Sequence, residues 1–171
     1  KDGLAELPQL LVAALGEEIH ANVSISKIQK IGSSWRVDWD GNPHIYDDVL
    51  LTTPIHALDK LPLDESLQKA LQPLLEIDYS PVSVLTVAFK HSDVAQPLDG
   101  FGVLIPECEG RKILGVLFPA SIFTSRAPAG EVLLTVFIGG ERQPELAVSD
   151  KNTLLTTVLP ELKELFGMTG E

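Results

Sequence analysis

The sequence predicts an α+β fold: an antiparallel four-stranded sheet flanked by helices, with a separate β-meander and one further strand of the parallel-sheet type. Three observations lead to this prediction. Apolar and polar residues alternate through several short segments, as in strands with one buried face. The connections between these segments are short and rich in turn-forming residues, which favours antiparallel order. Apolar residues at helical spacing lie before, between and after the strands.

The composition describes an acidic chain with enough apolar residues for a core. Of its 171 residues, 44% are hydrophobic, and the formal net charge is −11. The apolar content excludes global disorder, and the negative charge disfavours nucleic-acid partners and a basic membrane-docking surface. The single cysteine, Cys108, excludes an internal disulfide and a cysteine-rich zinc site. Since no signal peptide or membrane-spanning stretch is recognisable, we expect an intracellular protein located in the cytoplasm.

The N-terminal part of the chain predicts one helix followed by a three-stranded meander. The helix covers residues 4–15, where leucines recur at helical spacing. The strands are expected at residues 23–28, 35–39 and 44–46, with a bulge or strand end near Lys27.

A different pattern follows at residues 48–54, an almost continuous apolar run between two acids and a proline. Such a run is typical of a strand buried on both faces of a parallel sheet. A strand of this kind needs parallel neighbours, and the chain contains no second run like it. Either sequence outside this chain completes the sheet, or the strand pairs within the meander.

The second half predicts a helix, four antiparallel strands and a C-terminal helix. Asp64 or Ser66 caps the first helix. Ser149 is the expected cap of the last helix, which should kink or break at Pro160 and stop at Gly167. The four strands are predicted at residues 82–89, 101–105, 113–118 and 132–138.

The sequence predicts no catalytic and no metal-binding side chains in this chain. The four histidines are far apart, and none forms a pair at metal-ligand spacing. Cys108 lies between two glutamates, which disfavour a reactive thiolate. The chain has no nucleophile elbow, no P-loop and no dinucleotide-binding glycine motif.

The four-stranded half offers two interpretations. Bulky apolar residues alternate along its strands, and glycines stand at strand ends, where a ligand or another backbone can approach closely. A sheet with an apolar face covered poorly by two helices predicts a pocket floor for a flat apolar ligand. An ordinary core beneath the helices explains the same pattern.

Four blocks in this half resemble the protoporphyrinogen oxidase family in order and spacing. They are GFGVLIP at residues 100–106, LG at 114–115, Phe123 with RAP at 126–128, and LTVFIGG at 134–140. Residues 3–8, 25–28, 35–37 and 48–54 resemble the FAD-binding part of the wider superfamily, which amine oxidases and phytoene desaturases share.

The resemblance covers essentially the whole chain but only the middle of the enzyme. It implies that residues 1–54 are part of an FAD-binding α/β domain, comprising a helix, the meander and its return strand. Residues 55–171 then form the substrate-binding domain. Because the family's N-terminal dinucleotide motif, membrane-binding helices and C-terminal flavin-closing segment are absent, we expect the chain alone to be inactive.

The resemblance also implies an activity and a set of contact residues. The whole enzyme binds FAD and oxidises protoporphyrinogen IX to protoporphyrin IX in haem synthesis, with oxygen re-oxidising the flavin. Gly102, Leu104, Leu117 and Phe137 match positions that line the tetrapyrrole pocket. Ile25 matches a position whose backbone contacts the adenosine part of the flavin.

Several alternatives stay open at this point. The enzyme could be a relative that oxidises coproporphyrinogen, another FAD-dependent amine oxidase or desaturase, or a porphyrin-binding module without catalysis. Arg126 is a candidate for a substrate carboxylate, although an Arg before Ala-Pro favours the surface. The whole enzyme is expected to be cytoplasmic or peripheral on a membrane. We also expect the isolated chain to form a homodimer, because the strand at residues 48–54 lacks partners.

Overall fold

A computed structural model describes residues 3–123 and 125–169 of the chain. The chain divides into two compact units, one ending at Tyr79 and the other beginning at Ser80. The boundary between the units therefore lies later than the predicted domain boundary after Pro54. Residues 55–79 belong to the first unit because they pack on the meander, where the Ile28 N–H donates to the Pro62 carbonyl at 2.8 Å. The assignment of flavin and substrate roles to the two parts stays a prediction.

The first unit contains the predicted helix and meander. Helix α1 (Glu6–Leu15) precedes strands β1 (Ile25–Ile31), β2 (Ser34–Trp39) and β3 (Asn42–Tyr46). The strands are antiparallel in the order β1-β2-β3, and β1 has a register shift between Ile25 and Lys27. This confirms the meander and the bulge expected near Lys27. Three 3-10 helices complete the unit, at Gly16–Glu18, Ile55–Lys60 and Gln72–Glu76.

A small apolar core holds this unit together. Ile28, Val37 and Leu63 are buried. Helix α2 (Glu65–Leu71) begins beside this core, and its cap is Asp64, whose carboxylate accepts the Leu67 N–H at 3.0 Å. Of the two caps that the sequence offered, the structure uses Asp64.

The predicted strand at residues 48–54 is not a strand in the structure. Val49 and Leu51 pack against the core of the first unit, while the Leu50 side chain between them is 86% exposed. Strand structure requires a neighbouring backbone, and within the described residues no strand lies beside this segment. The apolar run is therefore buried on one side only.

The second unit is built on the predicted four-stranded antiparallel sheet, with strand order β4-β7-β6-β5. Its strands are β4 (Val82–Lys90), β5 (Gly102–Leu104), β6 (Ile113–Leu117) and β7 (Glu131–Gly139). Its helices are α3 (Pro119–Ile122), α4 (Pro144–Ala147) and α5 (Lys151–Phe166), with 3-10 helices at His91–Asp93 and Glu107–Glu109.

Helix α5 differs from its prediction at two points. Its cap is Asp150 and not Ser149, because the Asp150 carboxylate accepts the N–H groups of Asn152 and Thr153 at 2.9 and 3.2 Å. The helix also runs through Pro160 without a break. Pro160 is exposed, and so is Thr156, whose carbonyl loses its helical donor and can be solvated instead. The helix ends at Gly167 in the left-handed conformation, as predicted.

The core of the second unit lies on one face of the sheet. On β7, the alternate residues Val132, Leu134, Val136 and Ile138 are all buried. They share a cluster with the buried face of α5, which consists of Leu154, Val158, Leu162 and Phe166. The other face of β7 carries no fully buried side chain in Leu133, Thr135 or Phe137. Among the residues that the structure describes, no helix is long and apolar enough to cross a membrane.

The one-sided core predicts unequal effects for the same substitution at two leucines. Leu162 is fully buried and Leu104 is 90% exposed. We expect Leu162→Ala to lower the free energy of unfolding by about 2–5 kcal/mol, because it leaves a cavity under the sheet. Leu104→Ala should change it by less than about 0.5 kcal/mol. Urea denaturation of both variants measures the difference, and equal losses would contradict this packing.

The cap of α5 predicts a pH-dependent contribution to stability. The hydrogen bond from the Thr153 hydroxyl is the largest cause that lowers the pKa of Asp150 below its ordinary 3.8. Because the folded pKa lies below the unfolded one, the stabilisation is present above the unfolded value and is lost as pH falls through the folded value. Asp150→Asn removes this titration. The stability difference between wild type and variant, from urea midpoints, should therefore shrink between neutral pH and about pH 3; a constant difference would contradict the cap's role.

Candidate functional site

The four residues predicted to contact a tetrapyrrole lie on one face of the four-stranded sheet. Residues directly opposite each other in antiparallel strands share a face. Gly115 lies opposite Phe137 on one side and opposite Leu104 on the other. Gly102 lies opposite Leu117 in the same hairpin. This face is opposite to the one that packs on α5, and we call it the open face.

The open face is apolar and largely uncovered within the second unit. Leu104 is 90% exposed and Leu117 is 41% exposed. On β4, Val82 and Val84 add further exposed apolar surface, while Phe137 is partly buried. Exposed apolar surface of this kind marks a binding or contact surface. By register this face holds two ionisable side chains, Lys90 and Glu131, which lie opposite each other toward the other end of the β4–β7 pair from Phe137. The other residues that the register places there are Val82, Val84, Thr86, Ala88, Gly102, Leu104, Gly115, Leu117, Leu133, Thr135, Phe137 and Gly139.

Two glycines allow β5 to lie close to β6 at the open face. Gly102 has φ +148°, and a Cβ built there would overlap the Val116 carbonyl oxygen. A Cβ on Gly115 would lie 2.8 Å from the Val103 carbonyl oxygen and 3.2 Å from the Leu104 Cδ2 atom. The glycines therefore keep this part of the face flat, with Leu104 lying across Gly115. Such a surface can bury a planar apolar group, and it offers no acid or base to transfer a proton.

A cavity lies elsewhere in the second unit. It has a volume of about 730 Å³ and lies where β7 begins, between the loop of residues 94–99, α3 and residues 127–129. None of the four predicted contact residues lines it. Sequence analysis gave no signal for this cavity, because its walls come from loops without a motif.

Ile25, the predicted flavin contact, lies at the start of β1 in the first unit. Its side chain is 41% exposed, and within the described residues no strand pairs with the outer edge of β1 at this position. The backbone there is open to a ligand, which fits the contact that the resemblance implies. The contact itself stays a prediction.

An aromatic stack lies next to Ile25. Trp39, its partner on β2, stacks on His44 with ring centroids 3.9 Å apart and also contacts His20 at 4.4 Å. On the same strand, a hydrogen bond from Arg36 lowers the pKa of Asp38. The Trp39 ring therefore has two histidine neighbours within the first unit.

The other candidate groups, Cys108 and Arg126, are not among the residues that the strand register places on the open face. Among the described residues, no group of three or more His, Cys, Asp or Glu side chains is arranged to hold a metal ion. Cys108 is exposed. Arg126, the candidate for a substrate carboxylate, lies with its guanidinium carbon 5.3 Å from the centroid of the Phe123 ring.

Because β5 lies so close to β6 at Gly102, we expect one added methyl group there to lower the stability of the fold strongly. Gly102→Ala forces a clash with the Val116 carbonyl and an unfavourable φ, so we expect a loss of about 2 kcal/mol or more in the free energy of unfolding. Gly100→Ala is the matched control, because a Cβ there meets no atom closer than 3.9 Å. Urea denaturation distinguishes the two, and a neutral Gly102→Ala would refute this geometry.

Comparison with known proteins identifies the family. The model of the flavin containing amine oxidoreductase family matches residues 1–171. Protoporphyrinogen oxidase 2 of Arabidopsis thaliana, a chloroplastic and mitochondrial protein by name, is 35% identical over 100% of this chain and 37% of its own length. Mitochondrial protoporphyrinogen oxidase of Nicotiana tabacum is 38% identical over 74% of this chain and 26% of its own length. The chain thus spans about a third of such relatives.

A solved structure agrees with the fold. A candidate protoporphyrinogen oxidase from Exiguobacterium sp. 255-15 superposes with a TM-score of 0.69 at 24% identity, covering 99% of this chain and 36% of that protein. The relatives and the family match confirm the resemblance found in the sequence. They also confirm, at the level of the family, the predicted oxidoreductase class and its flavin cofactor, FAD. The chain belongs to the flavin containing amine oxidoreductase family.

Proposed function

We propose that this chain is the part of an FAD-dependent porphyrinogen oxidase that supplies one wall of the tetrapyrrole site, and that the whole enzyme oxidises protoporphyrinogen IX to protoporphyrin IX. The observation that carries the proposal is the shared open face of Gly102, Leu104, Leu117 and Phe137. The names of the relatives support the choice of substrate.

The chemistry of the open face suits a porphyrinogen better than a small amine. A tetrapyrrole is a wide apolar ring system, and burying its area against Leu104, Leu117 and Phe137 stabilises binding by roughly 25 cal/mol per Å². An ammonium substrate needs a carboxylate or an aromatic cage, and the carboxylate that the register places on the open face, Glu131, lies at the other end of β7 from Phe137.

In this proposal the chain binds and orients the substrate and keeps water from one side of it. A bound flavin would supply the redox chemistry, as the acceptor of the substrate's hydride. This division of roles is consistent with the absence of ionisable side chains among Gly102, Leu104, Leu117 and Phe137. Residues 1–54 would contribute to the flavin domain, with the Ile25 backbone at the adenosine part.

The location and assembly of the whole enzyme are further proposals. The two plant relatives bear organellar names, so the cytoplasmic location expected from the sequence stays a prediction. The homodimer of the isolated chain and the peripheral membrane association of the whole enzyme also stay predictions.

The proposal predicts that the chain binds protoporphyrin IX, the stable product, through Phe137. We expect saturable binding in a fluorescence titration and a roughly tenfold higher Kd for Phe137→Ala, because an aromatic contact with the ring is lost. Val148→Ala is the control, since Val148 is 78% exposed and lies outside the sheet. Equal Kd values for the two variants would contradict a wall formed by the open face.

Activity of the longer polypeptide that carries this chain tests the choice of substrate. It should oxidise protoporphyrinogen IX with release of hydrogen peroxide. Faster oxidation of coproporphyrinogen III would reassign the substrate within the same class. Oxidation of putrescine without any oxidation of a porphyrinogen would overturn the proposal.

A further inference from the structure

The strand that carries half of the predicted contact residues is weakly held by its own sheet. β5 is three residues long, lies at the edge of the sheet and pairs only with β6. Gly102 and Leu104 are its first and last residues. A short edge strand of this kind frays easily unless other contacts fix it.

Val103 and Ile105 pack in or against the core, and a polar contact comes in addition from α5 on the opposite face of the sheet. One carboxylate oxygen of Glu161 accepts the Lys112 N–H at 2.7 Å, and the other accepts the Ile113 N–H at 3.1 Å. Both N–H groups stand where the β5–β6 connection enters β6. Hydrogen bonds to a carboxylate are roughly twice as strong as neutral ones. Glu161 therefore ties the loop end of the β5–β6 hairpin to α5.

A neighbouring ion pair contributes at the same connection but is more exposed. Arg111 donates to both carboxylate oxygens of Glu164, at 2.8 and 3.2 Å. Glu164 is exposed, so the pair is screened by water and contributes little. On the other side of the hairpin, Arg142 donates to the Ile105 carbonyl at 2.9 Å.

We propose that Glu161 is a positioning residue for the porphyrin-binding wall, because it fixes the β5–β6 hairpin that carries Gly102, Leu104 and Leu117. The inference rests on the proposed function. Glu161 belongs to α5, which packs on the face opposite to the open face, so it acts on a ligand only through the hairpin. A role in stability alone would lower the free energy of unfolding without changing the order of the hairpin in the folded chain.

Amide hydrogen exchange of the folded chain separates these two roles without any ligand. In Glu161→Ala, exchange at the hairpin amides of Ile105 and Phe118 should become about tenfold faster or more, because a charge-assisted anchor is lost. The amides that join β4 to β7 should keep their protection. Glu161→Gln retains one acceptor oxygen and should give an intermediate effect, which guards against a poorly folded alanine variant. Glu164→Ala is the matched control and should leave the hairpin unchanged.

A titration with protoporphyrin IX completes the test. We expect the Kd of Glu161→Gln to rise several-fold while that of Glu164→Ala stays at the wild-type value. Unchanged hairpin exchange, or equally faster exchange across the whole sheet, would overturn the positioning role. If wild-type chain fails to bind the porphyrin, the proposed function fails, whereas the exchange data still decide whether Glu161 holds the hairpin.

Discussion

The structure of the second unit depends on the burial of one sheet face by one helix. Leu134, Val136 and Ile138 on β7 are inaccessible to water because α5 covers them with Val158 and Leu162. Apolar burial is the dominant favourable contribution to folding, so this layer determines where the strands can lie. The opposite face of the sheet does not have to form a core, so its residues are available for contact with a ligand or another surface. The flat surface around Gly102 and Gly115 is available for that reason.

The elements that local pattern predicted well are those whose cause is local. A run of apolar and β-branched residues is sufficient to predict β7. The tolerance of glycine for the left-handed conformation is sufficient to predict the end of α5 at Gly167. The prediction of a strand at residues 48–54 was wrong, because a strand must pair with a second strand. The local sequence does not show whether such a second strand lies beside it. The N-cap of α5 lies one residue later than predicted. Ser149 and Asp150 are both suitable cap residues, and the backbone conformation determines which of them caps the helix.

For the candidate site, too, local pattern predicts some features, and others depend on contacts between distant parts of the chain. Gly102 and Leu104 are two residues apart, so alternation alone puts them on one face. Their alignment with Leu117 and Phe137 depends on register, including a shift between Ile113 and Gly115, which no local pattern reveals. The choice of these residues came from the family resemblance. The sequence analysis did not identify Glu161, because a glutamate on an amphipathic helix is ordinarily solvated. Its role becomes visible only when the structure shows that the Lys112 and Ile113 N–H groups donate to it.

The aromatic residues of the chain are segregated between its two units, with an optical consequence. Trp35, Trp39, Tyr46 and Tyr79 all belong to the first unit, whereas all six phenylalanines belong to the second. The fluorescence emission of Trp39, which is stacked on His44, therefore reports on the meander and not on the four-stranded sheet. A porphyrin bound on the open face would be an energy acceptor for these tryptophans. The distance between donor and acceptor would then measure how the two units are arranged in solution.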